Sequence, residues 1–380
     1  MRCYRYYRQK LQKERKQAMQ QKIIGILGIG GYLGKYAAEK LLKCGYKVLG
    51  AQRKEETLFG GYENFTFESL DIGNSKQLDE FILRCHVVVN CVSPSHLYGK
   101  IVKDAVCKWN KIYVDPSDMS FEKDREKIEG KCVGSCGYIP GFSEFLAYTA
   151  AKKDFEKVSR CMMYQGGFDG CSPGAFVDMI LGAGNKNFYG DSYISGSKLL
   201  PLSFDIRKKH MTPFSDKPFI FKPLINSDNI NLQKKIDADE FYFFSAYDDM
   251  DTMKFFMRLL LDVSKYSPEL AAQNIKRKLE ERIKSNHKFG SQKVEAFLFF
   301  ELEGKEGNVD KTITCQVILK NVNKVCGYFL AEAVDEVMRH PEKISEGFNY
   351  GSEIVDSGYL QRVMGEIGEE GAIKIEETCK

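Results

Sequence analysis

A cluster of glycines between an apolar run and a helical pattern limits the folds open to this chain more than any other feature. Residues 22–27 (KIIGIL) are apolar and isoleucine-rich, which predicts a buried strand. The segment 28–34 (GIGGYLG) follows at once, and apolar residues then recur at helical spacing up to Gly45, a residue type that favours the end of a helix. A second apolar run at 46–51 completes a strand–helix–strand unit.

The glycine spacing is typical of a loop that holds a dinucleotide. Gly28, Gly31 and Gly34 form GxxGxxG, while Gly28 and Gly30 begin the stricter GxGxxG, whose third position holds Leu33. In both versions the missing side chains let the backbone approach a pyrophosphate at a helix N-terminus. A tight structural turn is the alternative, but the flanking strand and helix supply the context that the motif requires. We therefore predict a dinucleotide site at Gly28, Gly30, Gly31, Tyr32, Leu33 and Gly34.

The residues that follow the second strand favour NADP(H) over NAD(H). Sites for NAD place an acid about twenty residues after the glycines, where it binds the ribose 2′-hydroxyl. Here the chain has Gln52, Arg53 and Lys54 instead, and the two basic side chains suit a 2′-phosphate. The alternative is a solvated basic pair, since Glu55 and Glu56 follow directly.

Alternating strand-like and helix-like segments continue to about residue 130, which predicts a doubly wound parallel sheet of the Rossmann type. The later pattern predicts an α+β domain, with helices at 251–265, 268–285 and 325–339 and antiparallel strands at 294–302 and 312–319. The predicted organisation is a basic tail at 1–18, a Rossmann domain at 19–130, an α+β substrate and dimerisation domain at 131–340, and a C-terminal segment at 341–380 that packs back near the Rossmann domain.

Polar residues follow several predicted strands at the edge where open α/β sheets bind ligands. They are Asp71, the segment 90–94 (NCVSP) with Ser93 and Pro94, and Asp115. Each of them is also suited to begin a loop or to cap the next helix. The segment 136–143 (CGYIPGFS) contains a Pro-Gly turn, and Ser143 is a candidate cap for a helix at 144–153. This segment fits a turn between domains and equally a lining for a cleft.

Composition excludes several classes of partner. Seven basic residues and one acid give residues 1–18 a charge of +6, so the rest of the chain carries −2 of the net +4. The basic character therefore belongs to a tail, which is suited to contact nucleic acid or an anionic membrane. The favoured alternative is a translation start at Met19, and we expect neither a nucleic-acid nor a membrane partner. The chain contains no run of 18 apolar residues, so the sequence predicts no membrane span. Twelve cysteines without a CxxC pair indicate reduced thiols in the cytoplasm, and no metal site is expected.

The N-terminal part of the chain resembles the saccharopine dehydrogenase-like (saccharopine reductase) family. The motifs that carry the resemblance are GIGGYLG at 28–34, AQRKEE at 51–56, VVVNCVSP at 87–94, YVDPSD at 113–118 and GYIPGFSE at 137–144. Their order and spacing match from about residue 22 to 185. Two departures are the residues 116–118 (PSD), which replace a hydrophobic-small-acid ending, and the stretch 186–285, which does not align.

The resemblance implies a Rossmann domain, a mixed-sheet domain that often mediates dimers, and NADP(H)-dependent chemistry such as the reduction of an imine to a secondary amine. By position, it places the phosphate loop at 28–34 and the ribose-phosphate contact at Arg53. It places the nicotinamide-side segment at Ser93-Pro94 and the strand-end acid at Asp115.

The leading hypothesis is an NADPH-dependent reductase of a C=N bond between an amino acid or amine and a carbonyl compound. Candidates for handling the proton are Asp115 and His96, and Cys136 or Tyr138 is suited to line the site. We expect a small carboxylate-bearing substrate and a homodimer. Candidate carboxylate-binding residues are Arg160, Lys186 and Arg207. Reduction of a C=C or C=O bond in a larger metabolite, or a non-catalytic NADP(H)-binding redox sensor, are the alternatives.

Overall fold

The chain divides into two compact units, each with its own sheet. The computed structural model describes residues 22–55, 57–167, 172–184, 188–203, 209–212, 215–285, 296–368 and 371–379, so the predicted tail lies outside the described residues. Unit 1 comprises the chain up to Gly137 together with Cys326–Asp356. Unit 2 comprises Tyr138–Val325 and the chain from Ser357 onward.

The described strands of unit 1 form one parallel sheet of seven. They are β1 (Ile23–Leu27), β2 (Lys47–Gln52), β3 (Phe65–Ser69), β4 (Val87–Asn90), β5 (Ile112–Val114), β6 (Lys131–Gly134) and β16 (Gly347–Tyr350). Their spatial order is β16-β6-β5-β4-β1-β2-β3, with every neighbouring pair parallel. The direction of winding reverses between β1 and β4, which is the point where open α/β sheets bind ligands. The predicted doubly wound Rossmann sheet is confirmed.

Helices connect and cover these strands. They are α1 (Gly34–Lys43), α2 (Ser75–Arg84), α3 (Ser95–Lys108), α9 (Val322–Arg339) and the short α10 (Gly351–Ile354), with 3₁₀ turns at Arg125–Lys127 and Pro341–Lys343. The helical spacing seen in the sequence is the buried face of α1, where Ala37, Ala38 and Leu41 have almost no exposed surface. Gly45 follows α1 with φ +88°, as expected for a glycine that ends a helix.

The unit boundaries differ from the predicted domain boundaries of 130 and 340. Strand β6 belongs to the Rossmann sheet, so unit 1 extends to Gly137. Most of α9 also belongs to unit 1, because Gly327 packs directly on Tyr36 of α1 and Tyr46 donates a hydrogen bond of 2.5 Å to Asp335. The predicted C-terminal segment is divided, since β16 joins the Rossmann sheet and the chain from Ser357 belongs to unit 2.

Unit 2 is an α+β unit with a mixed sheet, as predicted. Its strands are β7 (Lys157–Gly166), β8 (Phe188–Gly190), β9 (Ser192–Ser195), β10 (Lys198–Pro201), β11 (Lys209–Thr212), β12 (Ser215–Asn226), β13 (Glu240–Tyr247), β14 (Ala296–Glu306), β15 (Val309–Leu319) and β17 (Gly371–Cys379). The order β10-β9-β13-β7-β14-β15-β17 forms the main path, and β12 pairs with β13, β11 and β8. The β14–β15 pair is the predicted hairpin, with Gly307 at φ +60° in its turn.

The described helices of unit 2 are α4 (Phe142–Asp154), α5 (Pro173–Ala183), α6 (Ser227–Ile236), α7 (Met250–Lys265), α8 (Pro268–Lys284) and α11 (Tyr359–Ile367). Three of them, α4, α7 and α8, lie close to the predicted helices at 144–153, 251–265 and 268–285, and the other three were not predicted. Asp249 and Ser267 cap α7 and α8 by accepting hydrogen bonds from backbone N–H groups, which explains why these two helices begin where they do. Within the described parts of the chain, no helix is both long enough and apolar enough to cross a membrane.

Candidate functional site

The loop between β1 and α1 has a backbone that admits only glycine at its two ends. Gly28 has φ +77°, and a Cβ there would lie 2.6 Å from the carbonyl oxygen of Cys91. A Cβ on Gly34 would lie 2.5 Å from the carbonyl oxygen of Gly28. A Cβ on Gly31 would lie 3.0 Å from the Gly28 oxygen, so the clash there is less severe than at the outer glycines. The outer glycines therefore fix the turn, and a side chain at Gly31 would also be tightly placed against the loop backbone.

The N-terminus of α1 faces this loop without a side-chain cap. Leu33 precedes the helix and supplies no side-chain cap, and the first turn contains no acid. Tyr32 is 57% exposed and extends into solvent from the same turn. A helix N-terminus of this kind presents N–H groups and a partial positive charge. The cradle left by the missing Cβ atoms and this helix end together fit a pyrophosphate.

The end of β2 supports the loop and carries the predicted basic pair. The side-chain oxygen of Gln52 accepts a hydrogen bond of 2.9 Å from the N–H of Gly30, a contact that the sequence analysis missed. Arg53 and Lys54 follow and are exposed, and neither forms an ion pair with another described residue. A hydroxyl on β3 holds the backbone here, since Ser69 donates a hydrogen bond of 3.1 Å to the carbonyl of Arg53. The Arg53 guanidinium is thus free of internal partners in the described chain.

The other predicted cofactor residues lie at the same carboxyl edge of the sheet. Asp71 follows β3 and accepts a hydrogen bond of 2.9 Å from the N–H of Gly73, so it shapes the turn into α2. Ser93 is exposed and Pro94 is half-buried directly before α3, whose first turn has no side-chain cap among the described residues. Cys91 anchors this segment beside the glycine loop, because its N–H donates a hydrogen bond of 2.8 Å to the carbonyl of Leu27.

Asp115 is the centre of a buried polar network rather than an exposed acid. Its Oδ2 accepts hydrogen bonds from the Tyr113 hydroxyl, from Asn90 Nδ2 at 2.9 Å and from the Ser95 hydroxyl at 3.3 Å. Its Oδ1 accepts a hydrogen bond of 2.7 Å from the N–H of Ser117. The hydroxyls of Ser95 and Ser117 lie 3.0 Å apart. Asp115 therefore joins the ends of β4 and β5 to the start of α3.

The environment of Asp115 argues against the predicted catalytic contact. The side chain has no exposed surface, so a substrate bound at the sheet edge would not contact it. Burial raises the pKa of Asp115 above the usual aspartate range, while the hydrogen bonds from Tyr113 and Asn90 oppose that shift. A carboxylate that accepts four hydrogen bonds positions its neighbours well but has little freedom to exchange a proton.

His96, the second predicted catalytic residue, lies in the first turn of α3 and keeps part of its surface exposed. Burial lowers the pKa of His96 below its usual value of 6.5, and the nearby charge of Asp118 opposes that shift. The positive end of the helix dipole also disfavours an imidazolium at this position. The side chain is therefore neutral at pH 7 and becomes an acid only at lower pH.

The other candidate residues from the sequence either have structural roles or lie outside the described residues. Cys136 is fully buried in unit 1, where Gly351 packs on it. In unit 2, Tyr138 is 9% exposed and stacks on Phe142. Ser143 lies inside α4 rather than capping it, because the chain enters the helix at Gly141 with φ +130°.

Of the three predicted carboxylate-binding residues, Arg160 lies within the described chain. Arg160 is engaged by two acids of β14, since its guanidinium lies 2.5 Å from Glu303 and 3.6 Å from Glu301. It is therefore not available to a substrate carboxylate without breaking these pairs. Lys186 and Arg207 lie outside the described residues.

Comparisons with known proteins agree with this geometry. A sequence profile of the NAD dependent epimerase/dehydratase family matches residues 24–107, which include β1, the glycine loop and β4. Among solved structures, the chain is similar to apo histidine-tagged saccharopine dehydrogenase (L-Glu forming) from Saccharomyces cerevisiae. The TM-score is 0.62 at 14% identity, and the alignment covers 94% of this chain and 100% of that one. No curated protein sequence matches the chain.

Two further solved structures align with about a quarter of the chain. One is a putative epimerase from Bacteroides thetaiotaomicron, with a TM-score of 0.23, 18% identity and coverage of 25% of this chain and 46% of that one. The other is a short-chain dehydrogenase/reductase from Veillonella parvula, with a TM-score of 0.23, 20% identity and coverage of 24% and 46%. The similarity to saccharopine dehydrogenase spans both units, and it confirms the predicted resemblance at the level of the fold.

Proposed function

We propose that this protein is an NADPH-dependent oxidoreductase that reduces a C=N bond formed between an amino acid or amine and a carbonyl compound. The observation that carries the proposal is the fold shared with saccharopine dehydrogenase over 94% of the chain. A glycine loop that fits a pyrophosphate lies at the switch point of its parallel sheet. The fold by itself is compatible with many reactions, so the proposal depends on the site at the carboxyl edge of that sheet.

The preference for NADPH is supported by the end of β2. The Gln52 side chain is occupied by Gly30, and no carboxylate stands at the strand end to hold a ribose 2′-hydroxyl. Arg53 is exposed and has no ion pair among the described residues. A guanidinium meets a phosphate with two parallel hydrogen bonds, whereas it gains less from a neutral hydroxyl. We therefore assign the 2′-phosphate contact to Arg53, with Lys54 as a weaker, solvated charge.

The bound dinucleotide would supply a hydride to the imine carbon, and the nitrogen must gain a proton to complete the secondary amine. We assign that proton to His96, because Asp115 has no exposed surface and His96 retains some. In this proposal Asp115 holds the hydroxyls of Ser95 and Ser117 at the sheet edge. Ser93-Pro94 forms the wall next to the reacting end of the cofactor.

A direct test follows NADPH consumption by its absorbance with pools of aldehydes and oxoacids, first alone and then together with pools of amino acids. We expect consumption only when an amine is present, and a product whose mass equals the amine plus the carbonyl compound less one oxygen atom. Turnover with carbonyl compounds alone would instead identify a C=O reductase. Tight NADPH binding without turnover in any pool would identify a redox sensor.

The control for this test is a matched pair of glycine substitutions in unit 1. Gly31→Val places a side chain where the pyrophosphate must approach, and it should abolish turnover. Gly61→Val adds the same side chain at an exposed glycine with nothing within 4 Å of the new Cβ, and it should leave turnover unchanged.

Three finer parts of the proposal are a carboxylate-bearing substrate, a homodimer and a cytoplasmic location. The first two are supported by the resemblance to saccharopine dehydrogenase and the third by the described cysteines, all of which are free thiols. Light scattering tests the dimer directly. A comparison of amino acids with the corresponding amines tests the carboxylate, because loss of the carboxylate should raise KM.

A further inference from the structure

A second pocket lies at the amino edge of the parallel sheet in unit 1, at the opposite edge from the glycine loop. It has a volume of about 500 Å³, within the range of small-molecule sites. Its lining comes from residues at or before the first residues of β4, β5, β6 and β16, which are consecutive neighbours in the sheet. The polar side chains are those of His86, Asn110, Lys111, Lys131 and Glu346.

The pocket is lined by two half-buried lysines. Lys111 and Lys131 form no ion pair with any other residue in the described part of the chain. Tyr113 pairs with Cys132 in the register of β5 and β6, so Lys131 is in register with Ile112, and Lys111 lies one residue earlier on the neighbouring strand. Both lysines line the same pocket, so an anion bound in it is attracted by both ammonium charges. Glu346 is the acid of the lining, and it is exposed at the rim.

His86 adds a neutral hydrogen-bond donor to this pair. Its Nδ1 accepts a hydrogen bond of 3.1 Å from the N–H of Ile23, so the neutral ring carries its proton on Nε2. Burial and the charges of Lys111 and Lys22 lower the pKa of His86, which agrees with a neutral ring. The Nε2–H therefore remains available to a ligand while Nδ1 holds the start of β1.

We propose that this pocket binds a small phosphate monoester, with the phosphate between Lys111 and Lys131 and a hydroxyl of the ester donating to Glu346. A phosphate monoester carries a charge of about −1.5 to −2 on one compact group, which suits a pocket that is lined by two ammonium charges. A dicarboxylate carries the same charge on two groups that a carbon chain keeps apart. Glu346 precedes Gly347, which pairs with Lys131, so its carboxylate lies on the β16 side of the pocket and favours a hydroxyl over an anion there.

The experiment is calorimetric titration of the full chain, at one ionic strength, with glycerol 1-phosphate, inorganic phosphate and succinate as probes. We expect affinity to decrease in that order. Lys111→Gln/Lys131→Gln should weaken both phosphates by at least about tenfold, since each lysine contributes a charged hydrogen bond. Lys47→Gln is the matched control, because Lys47 is exposed at the same edge of the sheet and lies outside the pocket. It should leave all three affinities unchanged.

Glu346→Gln gives a signature that nonspecific attraction to lysines does not. Removing this carboxylate should increase the affinity for inorganic phosphate severalfold, because a repulsive charge is lost. It should reduce the advantage of glycerol 1-phosphate over inorganic phosphate, because the hydroxyl loses a charged acceptor. Equal effects on both probes would overturn the assignment of Glu346 and, with it, the choice of an ester.

Other outcomes would overturn the site itself. Binding that survives the double lysine variant, or that is lost in Arg53→Ala, would place the phosphate elsewhere, in the second case at the glycine-loop edge. Tighter binding of succinate would contradict the phosphate. If the double variant does not fold, Lys131→Gln alone must weaken glycerol 1-phosphate by about tenfold. Gly31→Val should retain phosphate binding whatever it does to NADPH, which keeps this proposal separable from the proposed reductase.

Discussion

Replacing Glu144 with glutamine should remove a pH-dependent weakness from unit 2. Glu144 lies in the first turn of α4 and is 3% exposed. Its Oε2 accepts hydrogen bonds of 2.6 Å from the N–H of Gly141 and from the Ser143 hydroxyl. Its Oε1 is buried without a hydrogen-bond partner among the described residues. Burial, and next the charge of Asp228 on α6, raise the pKa of Glu144 to about 7.

The magnitude follows from the difference between the folded and unfolded pKa values of this carboxyl. The usual value is 4.5, so between pH 4.5 and about 7 the folded state keeps a proton that the unfolded state has released. Stability therefore falls as the pH rises through this window, and the loss is complete above it. At about 1.4 kcal/mol per pKa unit, the ionised form costs about 3 kcal/mol. Glutamine keeps one acceptor for Gly141 and Ser143 and carries no charge at any pH.

The assay must report on unit 2, because the single tryptophan, Trp109, lies in unit 1. We suggest hydrogen exchange of the α4 amides at pH 5 and pH 8, corrected for the intrinsic exchange rate at each pH. The opening free energy of the wild type should fall by about 3 kcal/mol more than that of Glu144→Gln between these two values. The variant should therefore be the more stable protein at pH 8.

The control is Glu156→Gln, which changes an exposed glutamate just beyond the end of α4. This variant should follow the wild type at both pH values. If Glu144→Gln shows the same difference from the wild type at pH 5 and pH 8, the buried carboxyl does not take up a proton near neutral pH. In that case the reasoning from burial and from Asp228 is wrong.

Three further predictions concern the proposed reductase site. In titrations at one ionic strength, Arg53→Ala should lower the affinity for NADPH by about tenfold and leave the affinity for NADH nearly unchanged. Lys54→Ala should cause a smaller loss of NADPH affinity. Equal losses for both cofactors would contradict the 2′-phosphate contact. Gly31→Val should lower the affinity for NADPH by at least about a hundredfold, while its melting temperature stays close to that of Gly61→Val. If the variant still binds NADPH, the loop is only a structural turn. With an acid of lowered pKa at His96, kcat/KM for reduction should fall as pH rises through a value below 6.5, and His96→Asn should flatten that profile; an unchanged profile would exclude His96 as the proton donor.

The sequence predicted the first half of unit 1 well because local signals there agree with one another. The apolar runs of β1 and β4, the helical spacing of α1 and the glycine that ends it all favour the same parallel unit. The hairpin of β14 and β15 was predictable for a similar reason, since two long apolar strands flank a glycine turn. These elements depend on periodicity within the segment itself.

The elements that were not predicted depend on distant partners. Strand β16 has only four residues and joins the Rossmann sheet through β6, which is more than 200 residues earlier in the chain. Strand β12 pairs with β11 and with β13. Its sequence SDKPFIFKPLIN contains two prolines that obscure a strand pattern. No local pattern specifies such pairings, because the register is set by the neighbouring strands.

The sequence predicted which edge of the sheet carries the candidate site, but not the chemical roles of the residues there. An acid at the end of a strand suits a catalyst, a ligand or a cap, and distance along the chain does not distinguish them. A signal for burial was nevertheless present at Asp115, because Tyr113 lies two residues earlier on the same face of β5. Asn90 ends the neighbouring strand β4, so two donors converge on one carboxylate. An acid whose adjacent strands already supply its donors is satisfied internally, which shifts the search for a proton donor to the first turn of the following helix, where His96 lies.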